Sequence, residues 1–332
     1  MSEQAVEMLE LTTRALVELA CRAPSVHNTQ PWSWRIGPDR IDLYADWSRQ
    51  LPVSDPQGRN LMISCGAALH HAQVVAAASG LDAQVTRFPD PSSTLHLATV
   101  VLVPAAVPLP DAADDLRALE LRTTDRQRFT DWPIPDDRLR KVAASVAQDG
   151  VHGIALTDAG DRFRVELLVG AALTAQADDA DLVAEQDLWL DHSNRDGIPS
   201  RAVPDADGTP HNQRSRFSLG SLLPDPADEI RPHVQIGSDG LIVIGTDADD
   251  RHAWLRAGEA LSQLWLHATT ETLAVVPLSQ VVEVEETRRS LRHEVLGGAV
   301  HPQILVRMGW QELGQSRRQT TPRRPVDDVL LP

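Results

Sequence analysis

GRNLMISCGAALHHAQVVAAASGL, residues 58–81, is apolar on nearly every side when wound as a helix. Such a helix is stable only where it is buried all round. A second stretch of the same kind, DRHAWLRAGEALSQLWLHATTETL, occupies residues 250–273. Adding 192 to the first numbering matches Asp55 to Asp247, Arg59 to Arg251, Gly66 to Gly258, Ala68 to Ala260, Leu69 to Leu261, Ala76 to Ala268 and Leu81 to Leu273, seven identities in 27 aligned positions. Glycine within a helix costs roughly 1 kcal/mol relative to alanine, so two glycines at one register predict close packing there. Strand candidates bracket each helix: IDLYAD (41–46) and LHLATVVLV (95–103) around the first, LIVIG (241–245) and QILVRMG (303–309) around the second. The chain reads as one unit used twice, each copy's helix covering the other's across an approximate two-fold axis, as in an isologous dimer. The proline-rich stretch LVPAAVPLPDAADD places the boundary near Pro108 to Asp115, giving halves of 1–115 and 116–332.

The chain has 332 residues and a net charge of -16, which argues against nucleic acid and anionic membrane surfaces as partners. A local arginine cluster could still hold a single anion. Lys141 is the only lysine, so phosphate contacts fall to arginine or backbone. Cys21 and Cys65 are far apart and outside any C-x-x-C pattern, as expected of buried thiols in a reducing cytoplasm. The acidic opening MSEQAVEMLE lacks a secretory pattern, and no run of about 18 apolar residues is expected to span a membrane.

Residues 4–23 read as an amphipathic helix that stops before Pro24. The segment CRAPSVHNTQPWSWRI (21–36) follows, dense in hydrogen-bonding groups and closed by Pro31 and Trp32. In LRTTDRQRF (121–129) Arg122, Thr124 and Arg126 alternate, so an extended backbone puts them on one side. Two guanidinium forks flanking a hydroxyl suit a phosphate monoester, although the same spacing suits a solvated edge. Arg323 and Arg324 stand between Pro322 and Pro325 in the tail TTPRRPVDDVL, a restricted cation pair that points to a docked tail. AVVPLSQVVEV (274–284) carries Pro277, after which Leu278 and Ser279 could offer backbone amides to a planar ligand, or form a plain strand edge. Residues 191–226, long and aperiodic, form either a surface loop or a cover over a ligand. G-x-G-x-x-G, P-loop, G-x-S-x-G and H-E-x-x-H patterns are absent. Adjacent His70 and His71 cannot act as i,i+4 ligands, and no metal site is expected.

RAPSVHNTQPW closely resembles the A-P-S-S-x-N-x-Q-P-W signature of the FMN-dependent nitroreductase superfamily. Arg122-Thr123-Thr124-Asp125-Arg126 with Phe129 is similar to that family's phosphate motif. Arg323 to Val329 resembles its C-terminal motif, and Pro277-Leu278-Ser279 its loop beside the flavin ring. The order is inverted, since the P-S-V-H-N loop precedes the arginine motif. That order is similar to the Acg-like branch, in which two nitroreductase-like halves are fused.

The resemblance implies an α+β nitroreductase-like fold, an internally duplicated pseudo-dimer with its dimer interface internalised, so that a monomer suffices. It also implies one FMN per chain at the seam. Arg122, Thr124, Arg126 and Arg323 would hold the phosphate, with Arg324 a further cofactor-binding candidate. Pro24, Ser25 and Asn28 come from the first half, with Ser25 and Asn28 on the flavin or ribityl chain. Gln30 and Trp32 would lock the loop, and Pro277, Leu278 and Ser279 would lie at the ring. A second flavin is not expected, because residues 1–13 hold no basic residue and no P-S-x-x-N follows RVELLVGAALTAQADD. The implied activity is an NAD(P)H-dependent oxidoreductase in which no side chain is assigned as acid or base. The alternative is an FMN storage protein whose 191–226 lid prevents rapid turnover.

Overall fold

The computed structural model describes residues 13–107, 109–125, 129–148, 150–202, 239–311 and 320–332. Helix α1 is described over 13–20 and ends at a turn ahead of Pro24. Strands β1 (Trp32–Ile36), β2 (Arg40–Ala45), β3 (Leu81–Arg87) and β4 (His96–Pro104) form an antiparallel sheet of order β1-β2-β4-β3. Strands β5 (Val151–Ala155), β6 (Gly240–Thr246), β7 (Ala274–Leu278) and β8 (His301–Gly309) form a second, of order β5-β6-β8-β7. The two orders are equivalent strand for strand. Helix α2 (Arg59–Ala78) lies between β2 and β3, and α7 (Arg251–Thr270) between β6 and β7. The fold is thus α+β and internally duplicated.

Helices α2 and α7 pack on each other at the centre of the main hydrophobic core. Their glycines make this possible. A Cβ on Gly66 would overlap the Leu255 carbonyl oxygen and stand 3.0 Å from the Gly258 Cα; one on Gly258 would overlap the Ile63 carbonyl oxygen and stand 2.9 Å from the Gly66 Cα. Across the same axis, His70 Nδ1 meets Ser262 Oγ at 2.8 Å, a pair also separated by 192 positions. Both helices are closed at their start by carboxylates, with Asp55 accepting from the Leu61 N–H at 2.9 Å and Asp250 from the Ala253 N–H at 2.9 Å. By length and composition Arg59–Ala78 is apolar enough to cross a membrane, which corrects the expectation that no such stretch exists. In this fold its apolar surface is covered by protein.

Among the described residues the remaining α-helices are α3 (Ala112–Leu121), α4 (Asp136–Ala144), α5 (Ala159–Asp178), α6 (Ala180–Leu188), α8 (Gln280–Glu283) and α9 (Glu285–Ser290). The tail crosses back to the first sheet. Trp34 donates its N–H to the Val329 carbonyl at 2.7 Å and accepts from the Leu331 N–H at 2.7 Å, extending the sheet along the edge of β1. The tail is docked, as its flanking prolines indicate.

Candidate functional site

The loop after α1 is held against α2. Val26 donates its N–H to Ser64 Oγ at 3.2 Å, and Ser25 Oγ accepts from the Gln30 N–H at 2.9 Å. His27, Asn28 and Gln30 take φ of 45°, 56° and 50°, a left-handed run without glycine. Such geometry persists only where the surroundings over-determine it.

Beside this loop is an open cleft. Pro24, Ser25, Val26 and His27 form one wall, and Val276, Pro277, Leu278, Ser279 and Gln280 another. Asn60, Ile63 and Ser64 of α2 meet Leu261 and Trp265 of α7 in it, with Thr124, Ile198 and Ile304 completing the lining. The surface is mainly apolar, with a few convergent polar groups, the usual make-up of a small-molecule site. Of the residues expected from sequence, Pro24, Ser25, Thr124, Pro277, Leu278 and Ser279 share this one cleft.

Two cations lie at its margin. Arg122 ends α3, is buried, and stacks its guanidinium 4.6 Å from the ring centre of Trp265, itself a cleft residue. It donates to the Arg22 carbonyl at 3.0 Å, while its Nε and one terminal nitrogen are buried without a partner. Arg323 donates to the Arg22 and Ala23 carbonyls at 3.1 and 3.3 Å, and its Nε is likewise buried and unpartnered. Among the described residues neither forms an ion pair with a carboxylate. Desolvation, followed by mutual repulsion with Arg323 and Arg22, pushes Arg122 down to about 9; desolvation pushes Arg323 down to about 10. Buried guanidinium groups with idle donors have the chemistry to receive an anion.

The other expected residues stand beside the cleft and not in its wall. Asn28 donates to the Gly197 and Pro322 carbonyls at 2.9 and 3.0 Å and accepts from Arg323 at 3.0 Å. Its amide joins the loop to the tail and to residue 197, leaving no donor for a flavin. Gln30 donates to the Arg195 carbonyl at 2.9 Å and accepts from the Arg324 N–H at 2.8 Å, joining the loop to both segments. Arg324 donates to the Gln30 carbonyl at 3.1 Å and to the Asp328 carbonyl at 2.6 Å, tying the tail to the loop. Trp32 is fully buried with an unpartnered indole N–H. Arg126 lies outside the described residues.

Of the expected 191–226 cover, residues 203–226 also lie outside the described residues. The described part is a strap over the loop, pinned by the Asn28 and Gln30 contacts and by the Arg49–Asp196 ion pair, with Ile198 in the cleft wall.

Asn60, Ser64 and Trp265 escaped the sequence reading because a helix apolar on all sides conceals which of its faces meets a cavity. So did Glu283, which accepts from Asn60 and Gln176 at 2.7 Å each just behind the lining; burial pushes its carboxyl up, against hydrogen bonds from Ser279, Gln176 and Asn60.

The two-fold axis defines a mate to this cleft, in which Gln73 takes the place of Trp265 and Val85 that of Pro277. There Glu259 receives both forks of Arg87 at 2.7 and 2.8 Å and the Gln73 amide at 2.9 Å, while Phe88 packs on His252 at 5.8 Å.

No protein-family model matches the chain. It is 37% identical over 324 residues to the Mycobacterium tuberculosis protein named "Putative NAD(P)H nitroreductase Rv3131", covering 96% of this chain and 91% of that one. It is 33% identical over 324 residues to "Putative NAD(P)H nitroreductase acg" of the same organism, covering 96% and 94%. Among solved structures, a nitroreductase with bound FMN from Bacteroides fragilis aligns at 16% identity over 63% of this chain and 94% of its own, with a TM-score of 0.39. A structure named "putative nitroreductase" from Anabaena variabilis aligns at 10% identity over 82% of this chain and 69% of its own, with a TM-score of 0.47. The sequence relatives span nearly the whole chain, and by them this protein belongs to the nitroreductase superfamily, on its Acg-like branch.

Proposed function

We propose that this chain binds one FMN in the cleft between its halves, 1–115 and 116–332, and acts as an NAD(P)H-dependent oxidoreductase. The observation that carries the reading is the pair of buried, uncompensated guanidinium groups, Arg122 and Arg323, at the margin of a cleft shared by Pro24–Ser25 and Pro277–Ser279. A phosphate monoester supplies the missing charge and accepts from the idle Nε and terminal N–H groups. Relatives named as NAD(P)H nitroreductases support the reductant. The Arg87–Glu259 ion pair in the symmetry-related region supports a single flavin per chain.

Bound flavin would take hydride from a reduced nicotinamide and pass electrons to an acceptor, which is chemistry the cofactor supplies. The protein supplies position. Arg122, Thr124 and Arg323 would hold the phosphate end, with Arg126 as a further candidate. The side chains of Ile63, Leu261, Trp265 and Val276 give an apolar floor that excludes water from a planar ring. Ser25, Asn60 and Ser279 offer the polar contacts that fix its orientation. Asn28, Gln30 and Arg324 hold the loop and tail in place around it.

A second reading, FMN storage, rests on Ile198, which the strap sets into the cleft wall. Anaerobic mixing of flavin-loaded protein with NADH or NADPH separates the two. Rapid bleaching of the flavin absorbance, reversed by a nitroaromatic or a quinone, is the expected result. Bleaching by dithionite but by neither nucleotide would establish storage.

A further inference from the structure

Asn60, Ile63 and Ser64 line the cleft, and His71 lies further along the same stripe of α2, at positions 60, 64, 67 and 71 of the helical repeat. Eleven residues separate Asn60 from His71, roughly 16 Å along the helix axis. The stripe therefore runs from the Ser279 end of the cleft toward the cations. His71 is wholly buried, and both of its ring nitrogens lack a partner, a state that few buried polar groups adopt without a reason.

The charges acting on His71 come from three separate pieces of chain. They are Arg122 at the end of α3, Arg22 after α1 and Arg323 of the tail. On its own helix, His70 is held by Ser262 and is itself pushed down to about 4 by burial. Burial together with these cations holds the imidazole well below its ordinary range. A neutral imidazole among buried cations keeps one nitrogen able to accept a proton.

We propose that His71 completes the anion site, remaining neutral while the site is empty and taking up a proton when a phosphate dianion settles between Arg122 and Arg323. This rests on the flavin-phosphate reading and adds a consequence to it. Two negative charges entering a water-poor cavity lower the cost of a third nearby cation, so ligand binding and protonation are linked. His71 becomes a determinant of specificity for a phosphorylated flavin over riboflavin.

Calorimetric titration of flavin-free full-length protein tests this, using FMN and riboflavin in buffers of differing ionisation enthalpy. Near pH 7.5 a phosphate monoester is already largely a dianion, because its second pKa is about 6. FMN binding is expected to take up roughly half to one proton per chain, against none for riboflavin, which requires His71 to rise in the complex past its ordinary value of about 6.5 to about 7.5 or beyond. The wild-type comparison stands without any variant. H71N is expected to abolish the uptake and to weaken FMN roughly tenfold, the equivalent of one pKa unit. FMN binding without uptake, or the same uptake in H71N, would overturn the role of His71 and leave the flavin reading intact. No binding of FMN at all would overturn both.

Discussion

Gly66 and Gly258 meet at the crossing of α2 and α7, and a methyl group on either would overlap the carbonyl oxygen of the residue three positions before the other. The close approach of the two helices depends on them. In an isolated helix, alanine would be favoured over glycine by roughly 1 kcal/mol. Here overpacking of about 1–3 kcal/mol or more should outweigh that gain, so G66A and G258A should each lower the melting temperature. Because both changes disturb one contact, the double variant should lose less than the sum of the singles.

Arg122 and Arg323 should behave as residues kept for a ligand. Each lacks a carboxylate partner among the described residues, so replacing a guanidinium with an apolar side chain removes a desolvated charge. We expect R122M to leave flavin-free protein as stable as wild type, or more so. The same change should weaken FMN by about tenfold to a hundredfold, the worth of a charged hydrogen bond at roughly 1.5–3 kcal/mol. Melting curves with and without FMN give both quantities.

Much of this arrangement is legible in the chain. The all-apolar helices and their shared glycine register give the duplication, and Pro24–Ser25, Thr124 and Pro277–Ser279 fall into one cleft. Asn28 and Arg324 were harder to read. Both carry atoms suited to a ligand, and only the fold shows that the tail and residues 195–197 occupy those atoms. Strands β3 and β5 went unread because one face of each is only partly covered, so their apolar alternation is weak.

Asp196 ties the strap down. Although burial alone would raise its carboxyl, hydrogen bonds from Ser193, His192 and Arg49 hold it down at about 2. Its folded value lies below its ordinary one, so the stabilisation is fully present above about 4 and is lost as pH falls through about 2. D196N should remove about 1–3 kcal/mol of local stability at neutral pH. Faster hydrogen exchange confined to residues 189–198 would be the readout, with the rest of the chain unchanged.

Glu259 joins Gln73 and Arg87 in the symmetry-related region. E259A would leave Arg87 and Gln73 without their shared acceptor, at a cost of about 1.5–3 kcal/mol. Thermal unfolding should detect that loss while flavin affinity stays close to that of wild type, because Glu259 does not line the cleft that holds Ser25 and Ser279.

The most direct measurement is the visible absorption spectrum of the purified protein, with flavin counted against chain concentration after FMN loading. One FMN per polypeptide, abolished or strongly weakened when Arg122 and Arg323 are both replaced, is the predicted result. A protein that takes up no flavin, or that takes up two, would contradict a single phosphate-anchored site between the halves.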